Sequence, residues 1–137
     1  RDLAIYRMGK SETMLKTAIR DMEAEDFASA NNRAYYSIFH AMRAILALSG
    51  EDYKKHSAVI SRFSQQYLKT DQIPRKYGKL ITNASLIRNR SDYEDFYICS
   101  IEDTRRLVDG AVDFFGCVKE FLRFEGIRIE NGEVRND

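Results

Sequence analysis

Residues 27–50 read FASANNRAYYSIFHAMRAILALSG, and their apolar side chains recur at steps of three and four. This spacing is typical of an amphipathic α-helix that turns one face to a core. The Ser49-Gly50 pair at the end is a stop signal, because glycine readily adopts the left-handed backbone conformation that closes a helix. The stretch therefore predicts one long, largely buried helix. Its apolar stripe consists of Phe27, Ala34, Tyr35, Ile38, Phe39, Met42, Ile45 and Leu46.

The same helical spacing continues on both sides of this stretch and predicts four further helices. The third helix in chain order is short, and Ser57 is a candidate for its N-terminal cap. Pro74 suits the first turn of the fourth helix, and the fifth begins near Ile101 with acidic residues where the helix dipole favours them. The four stripes are Leu15, Ala18, Ile19 and Met22; Val59, Ile60, Phe63 and Tyr67; Ile73, Tyr77, Leu80, Ile81, Ala84 and Ile87; and Leu107, Ala111, Phe114, Phe115, Val118, Phe121 and Leu122.

The C-terminal tail has a different pattern. Residues 128–135 alternate around Asn131-Gly132, which is a hairpin signal. In such a hairpin Glu130 and Glu133 would face each other across the turn. An isolated two-stranded hairpin is marginal in water, so a docked hairpin and a loose tail both stay open.

Length and composition favour one globular domain. The chain has 137 residues, 44% of them hydrophobic and 12% aromatic, which is enough for one core. Five helices with short connections predict an all-α antiparallel bundle over residues 1–126, followed by a tail or short hairpin over residues 127–137. The net charge of +1 argues against an extended nucleic-acid platform, but it leaves room for a local phosphate site.

The sequence contains no apolar run of the about 18–20 residues that span a bilayer, and its start does not resemble a secretory signal. Cys99 and Cys117 are too few and too far apart for a disulfide framework or a zinc motif. We therefore expect a cytoplasmic protein with reduced cysteines, no metal, no cofactor and no membrane contact.

A line of polar side chains follows the second helix. Asn32, Tyr36, His40 and Arg43 are spaced four, four and three residues apart, so they share one flank beside the apolar stripe. One interpretation is a bundle seam with polar tips in solvent, and the other is the wall of a polar groove. His56 stands at a helix start, where a local hydrogen-bonding role is the commoner one.

Residues 86–97, LIRNRSDYEDFY, form the most unusual polar cluster of the chain. If the fourth helix continues through them, Arg88 and Asp92 are spaced to form a surface ion pair. Such a pair contributes only about 0.3–0.5 kcal/mol, which would make the cluster a solvated helix end. The alternative is that the cluster is a binding or catalytic site.

Three stretches together resemble the HEPN superfamily, the small helical domains found beside minimal nucleotidyltransferases and in RNA-cleaving toxins. They are residues 27–50, residues 54–70 with Lys55-His56-Ser57, and residues 87–96 with IRNRSDYEDF. The resemblance covers nearly the whole helical body and is strongest to standalone prokaryotic members. It implies a homodimer with the cluster near the subunit groove, and a nucleotidyltransferase partner protein.

The superfamily signature is an arginine, a polar residue, a few further residues and a histidine. Arg88 and Asn89 match its first two positions, and Tyr93 stands where the histidine is expected. Metal-independent RNA cleavage needs a cation for the developing phosphorane charge, which arginine supplies, and proton-transfer groups. Tyrosine titrates near 10 and is a poor base at neutral pH, although its hydroxyl can donate to phosphate.

The resemblance thus implies Arg88, Asn89 and Tyr93 as the catalytic positions. It implies phosphate- or RNA-binding roles for Arg90, Tyr36 and His40, and supporting roles for Asp92 and Asn32.

Three functions follow from this reading of the sequence. The favoured one, because tyrosine replaces the histidine, is a module that binds RNA or nucleotide with weak or no catalysis. The second is a metal-independent endoribonuclease of the toxin–antitoxin or defence type, in which His40 or His56 could supply the missing imidazole if the fold brings it close. The third is a structural or interaction bundle.

Overall fold

The protein is an all-α bundle with a small C-terminal hairpin. The computed structural model describes the backbone of residues 1–93, 100–130 and 133–136, and the side chains of residues 1–90 and 100–127. A short π-helical turn, Ser64–Leu68, extends the third helix. The predicted helical bundle is confirmed. The helices of the described chain are α1 (Asp2–Glu23), α2 (Phe27–Leu48), α3 (His56–Phe63), α4 (Tyr77–Tyr93) and α5 (Ile101–Phe124).

Helix α2 is the central element, since it contacts each of the other four helices. Its predicted apolar stripe faces this centre, and the tyrosine of the stripe, Tyr35, is only 1% exposed. Its N terminus is capped by Asp26, whose carboxylate accepts from the Ser29 backbone N–H at 3.3 Å. The predicted end is confirmed, because α2 stops at Leu48 and Gly50 follows with a φ of 76°.

The predicted cap of α3 is wrong. The helix begins at His56 and Lys55 holds the N-cap position, without a side-chain cap. The Lys55 carbonyl already accepts the first helical hydrogen bond, from the Val59 N–H at 3.1 Å. Ser57 therefore lies inside the first turn rather than before it, and the residue is exposed.

The predicted start of α4 is also wrong. Pro74 lies in the connection before the helix, which begins at Tyr77. The Pro74 carbonyl accepts from the Tyr77 N–H in a tight turn, and the Ile73 N–H donates to the Tyr67 carbonyl. Ile73 itself is buried in the core, and the chain turns at Pro74 between this residue and the start of α4.

The tail forms the docked hairpin rather than the loose alternative. Strand β1 (Ile127–Glu130) pairs antiparallel with β2 (Glu133–Asn136), in the predicted register that sets Glu130 opposite Glu133. Ile127 is fully buried, and the two strands contact α5 and α1 respectively. Arg1 strengthens this contact by donating from Nη2 to the Gly126 carbonyl at 2.7 Å.

Across the described ranges, none of the helices combines the length and the apolar character that a bilayer crossing requires. The same residues contain no group of three or more His, Cys, Asp or Glu side chains arranged to hold a metal ion. Cys117 is half-buried and forms no disulfide within the described chain, and burial raises the pKa of its thiol. Cys99 lies outside the described residues.

Candidate active-site cleft

The fourth helix and the start of the third face each other across an open cleft of about 440 Å³. The cleft contains Arg88 and Asn89, the two signature residues whose side chains are described, and it also contains His56. Ser57, Ser61 and Ser85 supply hydroxyl groups, and Ile60 supplies the apolar part of the wall. The fold therefore brings an imidazole to the predicted arginine.

Two tyrosine rings of α2 hold Arg88 at this cleft. The guanidinium carbon lies 5.3 Å from the ring centroid of Tyr35 and 5.8 Å from that of Tyr36. Both distances are within the range of cation–π attraction. Nη2 of Arg88 also donates to the Tyr36 hydroxyl over a long 3.5 Å. The predicted involvement of Tyr36 therefore takes the form of a contact with the arginine.

His56 is fixed by stacking and by one short hydrogen bond. Its ring lies 4.1 Å from the Phe39 ring, nearly parallel to it, and Nδ1 is 2.6 Å from the Tyr35 hydroxyl. Burial raises the pKa of Tyr35 to about 12, so the phenol stays protonated at neutral pH. Burial, with the positive charges of Arg88 and Arg43, lowers the pKa of His56 below its usual value. A neutral imidazole therefore meets a neutral phenol.

The C-terminal part of the polar flank of α2, His40 and Arg43, belongs to a separate cationic cluster. Arg7 and Arg43 both reach Asp52, with N–O distances of 3.4 and 2.6 Å. His40 lies beside them, and its buried Nδ1 has no hydrogen-bond partner among the described residues. Burial, with the nearby charges of Arg43, Arg7 and Lys10, lowers the pKa of His40 to about 4. His40 does not line the Arg88 cleft.

The other predicted residues lie apart from the cleft or beyond the described side chains. Arg90 lines a different cleft, between α4 and α5, together with Asp103 and Arg106. The Asn32 side-chain oxygen accepts from Arg33 Nη1 at 3.2 Å. Helix α4 extends to the backbone of Tyr93, but the side chains of Asp92 and Tyr93 lie outside the described residues.

Sequence reasoning missed two residues that shape the site. Tyr35 was assigned to the apolar stripe, yet its hydroxyl is the partner of His56. Asp52 lies in the α2–α3 connection, where no periodic signal marks it, yet it joins α1 to α2 through two arginines. One signal in the sequence could have led to Tyr35. The chain has just two histidines, and His56, at the start of a predicted helix, needs a hydrogen-bond partner.

His40→Gln is expected to reduce the loss of stability that the wild type shows between about pH 6.5 and pH 4. The pKa of His40 is about 4 in the folded protein against an ordinary 6.5, so the unfolded chain binds more protons in this range. The contribution of the neutral His40 to the free energy of unfolding is therefore fully present above pH 6.5 and is lost as the pH falls. After a discount for the partial exposure of His40, we expect this contribution to be about 1–2 kcal/mol.

This difference is measured by urea unfolding of both proteins at pH 7.5, 5.5 and 4.5. Carboxylates that are paired in the folded state remain in both proteins, so their contribution cancels in the comparison. Parallel pH dependences for wild type and variant would show that His40 titrates normally.

The protein is a small all-α bundle that carries the Arg88–Asn89 pair of the HEPN signature at one open cleft. The chain belongs to the HEPN family, whose domain model matches residues 5–121. A solved archaeal HEPN homologue has a similar fold, with a TM-score of 0.61 and 15% identity over 85% of this chain and 95% of that one.

Two curated relatives extend the comparison. The chain is 26% identical to a UPF0332 protein of Thermotoga maritima, over 74% of this chain and 76% of the relative. It is also 26% identical to a Methanocaldococcus jannaschii protein that carries the name "Putative toxin", over 82% of this chain and 77% of the relative.

Proposed function

We propose that this chain is a HEPN module that binds a phosphate group of RNA or of a nucleotide in the cleft at Arg88 and Asn89. The observation that carries the proposal is the position of the Arg88 guanidinium, held by two tyrosine rings at an open cleft. A guanidinium presents a planar fork of donors that matches phosphate oxygens. Asn89 adds an amide beside it.

The remaining lining of the cleft suits an anion. Its described side chains include three serine hydroxyls and a histidine, and none of them is a carboxylate. Among the described side chains of the cleft, a phosphate meets hydrogen-bond donors and no carboxylate. With a net charge of only +1 for the chain, the attraction is local, which favours a single phosphate or a short strand over a long duplex.

In the same proposal the chain forms a homodimer and works with a nucleotidyltransferase partner, with the Arg88–Tyr93 region near the subunit groove. Leu86, which lines the α4–α5 cleft with Arg90, is 47% exposed and offers apolar surface for a subunit contact on that side of α4. Tyr93 retains its predicted role as a hydroxyl donor to the ligand.

A second candidate function is metal-independent RNA cleavage. It is favoured by one observation, the presence of His56 in the cleft that contains Arg88. The toxin name of a relative points in the same direction. A purely structural bundle is the third candidate, and it predicts that neither RNA nor nucleotide binds.

Arg88→Ala is expected to weaken binding by about 1–3 kcal/mol, the scale of a charge-assisted hydrogen bond, or roughly 5- to 150-fold in Kd. Binding is measured by fluorescence anisotropy with a labelled single-stranded RNA of about ten nucleotides and, separately, with labelled AMP. The matched control is Arg90→Ala, which removes the same charge from the same helix but from the other cleft.

Arg90→Ala should change the Kd less than about twofold. Equal losses for the two variants would mean that nonspecific charge, rather than the cleft, attracts the ligand. If the wild type binds neither probe and Arg88→Ala unfolds the bundle, Arg88 is a structural residue and the proposal fails.

A further inference from the structure

We infer that a second anion-binding pocket lies at Lys69 and Arg75, and that this pocket and the Arg88 cleft together bind one linear chain of phosphate groups. The inference rests on the proposed function and deepens it, because one phosphate of the chain binds at Arg88. It adds a kind of ligand, a polyanion several phosphates long, and two cationic residues that lie outside the superfamily signature.

The second pocket is an open cavity of about 580 Å³ between the π-helical turn and the start of α4. It combines two cationic groups and two hydroxyl groups with a small apolar surface, and none of its described side chains is a carboxylate. The Arg88 cleft offers donors of the same kind, and such donors suit phosphate oxygens. The lining of the second pocket consists of Lys69, Arg75, Ser64, Thr82, Leu68 and Gly78.

The two pockets are consecutive parts of one groove. On α4, Thr82 lines the second pocket and Ser85 lines the Arg88 cleft. On the opposite wall, Ser64 lines the second pocket and Ser61 lines the cleft. Residues three apart on a helix lie on the same face, about one turn from each other. Both walls therefore pass from one pocket to the other within a single turn.

The Arg75 guanidinium is held at the second pocket by a hydrogen bond. Its Nη2 donates to the Lys69 carbonyl at 2.9 Å, which keeps the two cationic residues close to each other. The bond uses one of the five N–H donors of a guanidinium, and both residues are exposed. A ligand in the pocket therefore meets a guanidinium in a defined position together with the ammonium of Lys69.

The length of the groove defines the ligand. Gly78 in the second pocket and Arg88 in the cleft are ten residues apart on α4, which is about 15 Å at the rise of an α-helix. One phosphate group cannot reach both ends of this groove, but a chain of linked phosphates can. The hydroxyls of Thr82 and Ser85 lie between the ends and can donate to the intervening phosphates. Single-stranded RNA, single-stranded DNA and inorganic polyphosphate share this chemistry.

The first experiment measures affinity against ligand length. A labelled oligoadenylate of about eight nucleotides is displaced from the wild type by AMP and by unlabelled oligoadenylates of two, four and eight nucleotides. The affinity should rise at least about tenfold between AMP and the octamer, because a chain already bound at Arg88 fills the second pocket in an intramolecular step. The octamer of deoxyadenylate and a polyphosphate of the same charge are further competitors, and the chains that displace the probe identify the source of the phosphates.

The second experiment removes the charges of the second pocket. Arg75→Ala is expected to weaken binding of the octamer about tenfold while the Kd for AMP stays within about twofold of wild type. Lys69→Ala should act in the same direction, and it keeps the carbonyl that accepts from Arg75, so it tests the pocket without loss of that hydrogen bond. The matched control is Lys76→Ala, because Lys76 adjoins Arg75 in sequence but its Nζ lies 3.7 Å from the Asp113 carboxylate of α5. This control should stay within about twofold for both ligands.

The salt dependence of binding gives a readout that a purely structural role would not change. For a single strand, the slope of log Kd against log salt concentration is about 0.7 for each phosphate that a cation neutralises. Arg75→Ala and Lys69→Ala should each lower the slope for the octamer by about this amount, and Lys76→Ala should leave it unchanged. A change in packing alone would shift the Kd without lowering the slope.

The other outcomes separate this inference from the proposed function. Equal affinity for AMP and the octamer, or a length dependence that persists in both Lys69→Ala and Arg75→Ala, would overturn the inference and leave the proposed function intact. An equal loss in Lys76→Ala would also overturn it, because diffuse charge would then explain the gain with length. If neither AMP nor any of the chains binds, both proposals fail.

Discussion

Phe114→Ala is expected to lower the free energy of unfolding by about 3–5 kcal/mol, the usual loss for a fully buried phenylalanine. Phe114 is 0% exposed on α5. Its ring packs edge-on against Phe63 of α3, with the ring centroids 5.9 Å apart, and at a tilt of 60° against Tyr77 of α4, with the centroids 5.1 Å apart. Truncation therefore removes contacts among the three helices around the core and leaves a cavity between them.

The matched control is Phe124→Ala at the end of the same helix. Phe124 is 77% exposed, so the same change there should cost less than about 0.5 kcal/mol. The measurement is urea unfolding followed by circular dichroism. Similar losses for the two variants would mean that α5 does not bury Phe114. The result also bears on the cleft, because α3 and α4 supply His56 and Arg88.

Asp52→Ala is expected to lower the free energy of unfolding by about 2–3 kcal/mol. The carboxylate serves both Arg7 and Arg43, whose side chains are only 16% and 11% exposed. Removing one partner of a buried ion pair leaves an uncompensated charge and typically costs about 3–5 kcal/mol. We expect a smaller loss because Asp52 itself is 40% exposed.

Glu120→Ala is the matched control for Asp52→Ala. Glu120 pairs with Arg123 on the surface of α5, where both side chains are about half exposed, and its loss should cost less than about 0.5 kcal/mol. Both changes remove one carboxylate, so a shared effect of net charge would appear equally in both. An Asp52→Ala loss as small as the control would show that water compensates the two arginines.

Asp52 also matters for the cleft. It lies in the connection between α2 and α3, four residues before His56, and it fixes that connection to α1 and α2. Asp52→Ala is therefore expected to loosen the start of α3. Asp52→Asn keeps one acceptor oxygen for the arginines while it removes the charge, and it should show an intermediate loss.

The helices were predictable because each signal is local. Residues 27–50 carry their own apolar period and their own glycine stop, and α2 ends where they predict. The two boundary errors differ in origin: at α3 the helix begins one residue before Ser57, whereas at α4 a contact outside the helix accompanies the late start. That contact is the burial of Ile73 before the turn at Pro74, and no pattern around Pro74 records it.

The residues of the candidate site also fall into two groups, those that a local sequence signal marks and those that only the fold brings close. Arg88 and Asn89 were found from the sequence because they are adjacent on one helix and match a signature. Their neighbours in space could not be found by that route, since Tyr35 and His56 lie on α2 and at the start of α3. Tyr35 also looked like an ordinary core residue, because one ring can be buried in the stripe while its hydroxyl reaches His56.

The sequence by itself determined the number of helices, their apolar faces, the end of α2 and the register of the hairpin, because these depend on spacings of a few residues. Only the tertiary structure decided that the hairpin docks, through the burial of Ile127. It also decided that His56 rather than His40 shares the cleft with Arg88. Both histidines adjoin the same aromatic cluster, and the path of the α2–α3 connection, held by Asp52, determines which imidazole lies beside the arginine.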